Sequence, residues 1–183
     1  MRMILVRHPR PIAAPGLCYG STDLAADPGD VARVLAELRN SLPAQAPLFS
    51  SPLQRCAVLA SALSPLLRAP LHFDARLAEM DFGDWEMRSW DAIARADVDA
   101  WSADLVHYRP GGGENVLEMA ARVGAFRAQL RTMPDPVCVI VCHAGTMRLL
   151  AAWDDALSLE EIAMKAASAS HRIGYGERLV LDC

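Results

Sequence analysis

His8 follows the apolar run Met3-Ile4-Leu5-Val6 with only Arg7 between them. His143 follows a second run, Val137-Cys138-Val139-Ile140-Val141-Cys142. Runs of this length without polar alternation read as parallel strands buried on both faces. A residue just past the carboxyl end of such a strand stands where open α/β sheets place their ligand crevices. A neutral imidazole can attack phosphorus when its other nitrogen is held by a backbone carbonyl. The charge developing on the phosphoryl oxygens then needs fixed cations. Arg7 is beside His8. Arg55, in Ser50-Ser51-Pro52-Leu53-Gln54-Arg55, falls inside a helix expected to open at a sheet edge, and its fork suits a phosphate. His143-Ala144-Gly145 marks a strand-to-helix turn, where free N–H groups and the helix dipole favour an anion. A leaving alkoxide needs a proton, and Glu79, at the head of Glu79-Met80-Asp81-Phe82-Gly83-Asp84-Trp85-Glu86, is the candidate donor. Together these residues suggest phosphoryl transfer through a covalent histidine. Each also has a plain structural alternative: a hydrogen-bonding or helix-capping histidine, a solvated first-turn arginine, exposed loop acids around core aromatics.

The elements that must position them can be read along the chain. Residues 3–7 form the first strand, and the prolines at 9, 11 and 15 make 9–30 a loop. Val31, Val34, Leu35, Leu38 and Leu42 predict an amphipathic helix over about 29–42. Leu48-Phe49-Ser50 is a short strand. Ser51 as N-cap and Pro52 in the first turn open a helix to about Leu63, and Leu71-His72-Phe73 is a third short strand. Residues 75–112 hold Trp85, Trp90 and Trp101 among many acids and read as a cap inserted over the sheet edge, closed by Gly111-Gly112-Gly113. Helices are expected over about 115–132, 146–153 and 158–165, flanking the strand at 137–142. Residues 168–175 and 178–183 read as a hairpin around Gly174-Tyr175-Gly176-Glu177. The alternation of strand and helix favours an α/β three-layer α/β/α sandwich with a mostly parallel sheet, in one domain over 1–183.

The bulk properties narrow the class. The chain has 183 residues, enough for one domain with a sizeable core. No apolar run approaches the roughly 20 residues needed to span a bilayer, and the four-residue apolar stretch at the N-terminus is too short for a signal peptide, so the expected location is cytoplasmic, with no membrane partner. The net charge is -4 with no basic block, which gives nucleic-acid binding little support. Lys165 is the only lysine, leaving guanidinium as the main fixed cation for an anionic ligand. Cys18, Cys56, Cys138, Cys142 and Cys183 form no CxxC pair and read as reduced thiols rather than a zinc site.

Five blocks carry a resemblance: LVRHP (5–9), SSPLQRC (50–56), LAEMDFGDWE (77–86), GGGEN (111–115) and VCHAG (141–145). In this order and spacing they resemble the histidine phosphatase superfamily, the phosphoglycerate mutase-like or RHG family. The resemblance implies a phosphoglycerate mutase-like fold and a phosphomonoesterase that uses neither metal nor cofactor. It implies His8 as the nucleophile that becomes phosphohistidine, Arg7, Arg55 and His143 as the phosphate pocket, and Glu79 as proton donor. GLCYGSTDL (16–24) resembles the α-ribazole phosphatase-like members of cobalamin biosynthesis. That likeness implies Tyr19, Gly20 and Ser21, with Ala144, as substrate contacts for a small-molecule phosphate ester. The match departs from the family in one loop. Pro9, Arg10 and Pro11 stand where the family shows glycine, an acid and threonine, and Met87 replaces the glycine of the usual W-E-G. Rival readings are a phosphoglycerate mutase, a broad-specificity small-molecule phosphatase, or a non-catalytic module that binds phosphorylated ligands. A homodimer is left open.

Overall fold

A computed structural model describes residues 1–170 and 172–182. Among them, β1 (Arg2–Arg7), β2 (Leu48–Ser50), β3 (Leu71–Phe73), β4 (Val137–Cys142) and β5 (Arg178–Asp182) form one sheet of order β3-β2-β4-β1-β5. Every pairing is parallel except that of β5 with β1. Successive strand side chains point to opposite faces, so one continuous apolar run feeds two cores. Met3, Leu5, Cys138, Ile140 and Cys142 pack on one side, against α4 (Val116–Leu130), α5 (Ala144–Ala152) and α6 (Leu159–Ala167). Ile4, Val6, Val139 and Val141 pack on the other, against α1 (Pro28–Leu38) and α2 (Gln54–Leu67). This is the mostly parallel three-layer α/β/α sandwich expected from the sequence. No helix among the described residues is long and apolar enough to cross a membrane.

The β1–β4 register does the positioning. Val6 pairs with Val141 and Arg7 with Cys142, so His8 and His143 emerge side by side from neighbouring strands. The His8 N–H continues the ladder to the Cys142 carbonyl (2.9 Å), and the Ser51 N–H reaches the Val141 carbonyl (3.0 Å). The carboxyl edge of the sheet therefore gathers Ser51, His143 and His8 in that order.

Some local expectations are corrected. The expected terminal hairpin does not form. Among the described residues, no strand lies in 168–175; β5 instead pairs with β1, from Arg2↔Asp182 to Val6↔Arg178. The Gly174–Glu177 turn is tied to the end of β1, with Arg7 N–H donating to Glu177 O (3.0 Å) and Gly176 N–H to Arg7 O (3.1 Å). The longer, more apolar partner strand wins over the local one. His171 and Cys183 lie outside the described residues. Ser51 does not cap α2, which starts at Gln54 with Leu53 at the N-cap position; Asp23 instead accepts the Gln54 N–H (2.6 Å), leaving Ser51 at the sheet edge. α1 ends at Leu38, and α5 begins at Ala144, directly after His143.

Residues 75–112 add no strand to the sheet and run through short 3₁₀ turns and one helix, α3 (Arg95–Ala103). Trp85 packs with Cys18 and Ile93 in a small core of its own. The segment closes where Gly111, at φ 58°, meets Phe82-Gly83. A Cβ on Gly111 would stand 2.3 Å from the Phe82 carbonyl oxygen, so the backbones touch as no other residue type would allow.

Candidate active site

His8 is almost fully buried, and its Nδ1 lies 2.7 Å from the Pro9 carbonyl oxygen. A carbonyl only accepts, so Nδ1 carries the proton and Nε2 keeps its lone pair. Burial, and then the Arg55 charge, push the His8 pKa down to about 3, against the opposing pull of the Pro9 hydrogen bond. His143 lies with its ring centroid 5.0 Å from that of His8. It is fully buried and its pKa is also well below the ordinary value, through burial first and then His8 and Arg55. It occupies the N-cap position of α5, but its side chain makes no capping bond. Its Nε2 is hydrogen-bonded to Ser51 Oγ (2.8 Å). Both imidazoles are thus neutral, and of the two roles open to His143, hydrogen bonding fits and a resting positive charge does not.

This neutrality has a measurable cost. An unfolded histidine titrates near 6.5. Between that value and the lowered native one, the unfolded chain binds more protons, so stability rises with pH. Acidification below about pH 6.5 should therefore remove about 1.4 kcal/mol per pH unit for each buried histidine. Urea midpoints at pH 7 and pH 5 should differ accordingly, and His8→Asn should flatten the dependence. Equal midpoints at the two pH values would contradict a neutral buried pair.

Two guanidinium groups flank the histidines. Arg55 is fully buried in the first turn of α2, not solvated. It donates through Nη1 to Thr22 O (2.7 Å) and through Nη2 to Gly20 O (2.5 Å). Arg7 donates through Nη1 to the Ile173 carbonyl, and its Cζ lies 4.1 Å from the Tyr175 ring centroid. The Nε of each is buried with no hydrogen-bond partner among the described residues. Two orphaned cationic donors beside two neutral imidazoles are costly unless an anion completes them.

Glu79 faces this group from the cap side. Its Oε2 accepts the Gly145 N–H (3.0 Å) at the start of α5, and a Cβ on residue 145 would stand 2.3 Å from Glu79 Oε1. Only glycine lets the carboxylate approach the helix so closely. The backbone that carries Glu79 is held by Arg122, which donates to the carbonyls of Arg76 (2.8 Å), Ala78 (2.7 Å) and Glu79 (3.3 Å). Glu114 fixes that guanidinium from its other edge. Beside Glu79 opens a cavity of about 340 Å³ lined by Tyr19, Phe82, Trp101, Leu105, Met119 and Leu149, among others, with Arg148 the basic residue of its wall.

The candidate substrate contacts divide. Tyr19 and Ala144 line the cavity. Gly20 and Ser21 are turned to Glu86 instead, whose carboxylate accepts from the N–H groups of Gly20 (3.0 Å), Ser21 (2.9 Å), Thr22 (3.3 Å) and Phe82 (3.0 Å) and from the Thr22 hydroxyl. Those hydrogen bonds lower the Glu86 pKa against the desolvation that opposes them. The loop so fixed presents the two carbonyls that hold Arg55. Next to Glu86, Met87 takes φ 61°, the left-handed conformation that favours the glycine it replaces. Sequence reasoning missed Tyr175, Arg122 and the cavity-lining Trp101, and it read Glu86 only as one acid of a run. Among the described residues no group of three or more His, Cys, Asp or Glu side chains is placed to hold a metal ion.

Known proteins resemble this chain over most of its length. The profile of the histidine phosphatase superfamily (branch 1) matches residues 3–177. The adenosylcobalamin/alpha-ribazole phosphatase of Salmonella typhimurium is 32% identical, covering 93% of this chain and 84% of the relative. A putative phosphoserine phosphatase 2 of Hydrogenobacter thermophilus is 29% identical, covering 88% and 82%. Among solved structures, the alpha-ribazole phosphatase from Shigella flexneri superposes with a TM-score of 0.82 at 27% identity, covering 100% of this chain and 90% of that one.

Proposed function

We propose that this protein, which belongs to the histidine phosphatase superfamily, hydrolyses phosphomonoesters through a phosphohistidine at His8, and that its substrate is α-ribazole 5′-phosphate. The observation that carries the mechanism is the His8 Nδ1–Pro9 carbonyl bond beside two arginines with orphaned donors. The Nε2 lone pair of His8 attacks phosphorus as the P–O bond to the alcohol breaks, and Glu79 delivers a proton to the departing oxygen. Glu79 then takes a proton from water, whose oxygen attacks the phosphohistidine, releasing inorganic phosphate and free His8. Arg7 and Arg55 neutralise the transferring group while His143 hydrogen-bonds to it.

The substrate reading rests on the cavity beside Glu79 and on the adenosylcobalamin/alpha-ribazole phosphatases of Salmonella typhimurium and Escherichia coli among its relatives. An alcohol that leaves past Glu79 enters a chamber walled by Phe82, Trp101, Leu105 and Met119. Aromatic walls suit a flat apolar base, and the size of such a base matches the cavity better than the three carbons of a phosphoglycerate. Phosphate release with EDTA present should therefore be much faster from α-ribazole 5′-phosphate than from 3-phosphoglycerate. Formation of 2-phosphoglycerate from 3-phosphoglycerate would replace this reading with a mutase. Tight binding of phosphate esters without turnover would replace it with the binding module.

A further inference from the structure

The loop after His8 has almost nothing to offer a phosphate. Pro9 and Pro11 have no N–H. The Arg10 N–H is taken by Asp30 Oδ2 (2.6 Å) and the Ile12 N–H by Ala25 O (2.8 Å). Across the site, the Gly145 N–H is taken by Glu79. Besides His143, a phosphoryl group seated against His8 needs further neutral donors.

Two tyrosines from distant parts of the chain meet at this place. Tyr175, in the turn tethered to the end of β1, lies with its ring 5.6 Å from the His8 ring and under the Arg7 guanidinium. Tyr19 lies with its ring 5.7 Å from the Arg55 Cζ. Their hydroxyls are 2.8 Å apart and make no other hydrogen bond among the described residues. Two hydroxyls carry two protons, and their mutual bond uses one. The remaining O–H has no acceptor among the described residues, and each ring lies against one of the two guanidinium groups.

We propose that Tyr19 and Tyr175 act as a paired hydroxyl donor to a phosphoryl oxygen, taking the place of the backbone donors that Pro9, Arg10 and Pro11 do not supply. One hydroxyl donates to its neighbour, and that neighbour donates to the anion, which strengthens both bonds. Burial and the Tyr175 bond raise the Tyr19 pKa, so that phenol keeps its proton at neutral pH. The proposal rests on the phosphatase reading for its catalytic meaning, but not for its binding test.

Tyr175→Phe keeps the ring against Arg7 and His8 and removes only the hydroxyl. It should weaken inorganic phosphate binding, measured by calorimetry, and orthovanadate inhibition by about tenfold or more, as expected for a hydrogen bond to a charged group. kcat/KM for 4-nitrophenyl phosphate should fall by a similar factor with the melting temperature nearly unchanged. Tyr19→Phe should also weaken binding, by less than Tyr175→Phe if Tyr175 donates to the anion and by more if Tyr19 does, and the double variant should lose at least as much as the worse single one. If Tyr175→Phe folds poorly, Tyr19→Phe is read in its place, and unchanged phosphate affinity there would overturn the paired donor. Unchanged phosphate and vanadate affinity in the folded variants would overturn the proposal, as would a rise in affinity. A wild-type protein that binds phosphate but releases none from esters would sink the hydrolytic reading and leave the affinity comparison decisive for the tyrosines.

Discussion

His8→Ala is expected to reduce phosphate release by about 10⁴- to 10⁶-fold, the range for loss of a covalent nucleophile. The reason is specific to this geometry. His8 is uncharged, its proton is fixed on Nδ1 by Pro9, and its Nε2 is poised at the edge where Arg7, Arg55 and His143 gather. Water admitted to the space left by alanine would meet the same cations but lack both the position and the basicity of an imidazole. Phosphate binding should survive the substitution, because the guanidinium groups remain. Labelled substrate quenched into base should leave phosphoprotein with the wild-type enzyme and none with His8→Ala. Retained turnover in the variant would refute the covalent scheme, and phosphoprotein in the variant would place the nucleophile elsewhere.

Glu79→Ala should divide substrates by their leaving groups. An alkyl oxygen cannot depart without a proton, so hydrolysis of α-ribazole 5′-phosphate should fall by about 10²- to 10⁴-fold, the usual contribution of a positioned acid or base. The nitrophenolate ion leaves unaided. With 4-nitrophenyl phosphate the variant should give a rapid burst of nitrophenolate, one equivalent per enzyme, followed by slow turnover as the phosphohistidine waits for an activated water. Equal losses on both substrates with no burst would remove Glu79 from proton transfer. A positioning role through Gly145, whose N–H it accepts at 3.0 Å, would then explain its effect.

Much of this site was legible from β1 and β4, because two uninterrupted apolar runs each ended at a histidine. Parallel pairing made those histidines neighbours with no further information. The phosphatase motifs added Arg55 and Glu79. What the sequence hid was long-range. Tyr175 sits in a glycine-rich turn that reads locally as a hairpin tip, and only the pairing of β5 with β1 carries it to Arg7. Arg122 lies on an amphipathic helix where an arginine ordinarily means a solvated face, yet it grips the carbonyls around Glu79. The burial of Arg55 was equally invisible, because it depends on carbonyls more than thirty residues upstream. Ser51 looked like a helix cap for good local reasons, and it lost that role when Asp23 supplied the acceptor at Gln54. In each case a partner distant in sequence outweighed a local preference.

The Glu86 carboxylate gathers donors from residues 20–22 and from Phe82. Phe82 walls the cavity beside Glu79, while the carbonyls of Gly20 and Thr22 hold Arg55. A single side chain thus pins the wall of the cavity proposed to take the alcohol to the arginine proposed to grip the phosphate. Specificity in such a molecule is not a detachable part. Transplanting the 16–24 loop from a relative with another substrate would import a new lining and at the same time loosen the guanidinium, unless the matching cap segment travelled with it. Substrate range and catalytic power would have to drift together, as an exchange of whole modules rather than by single substitutions in the loop.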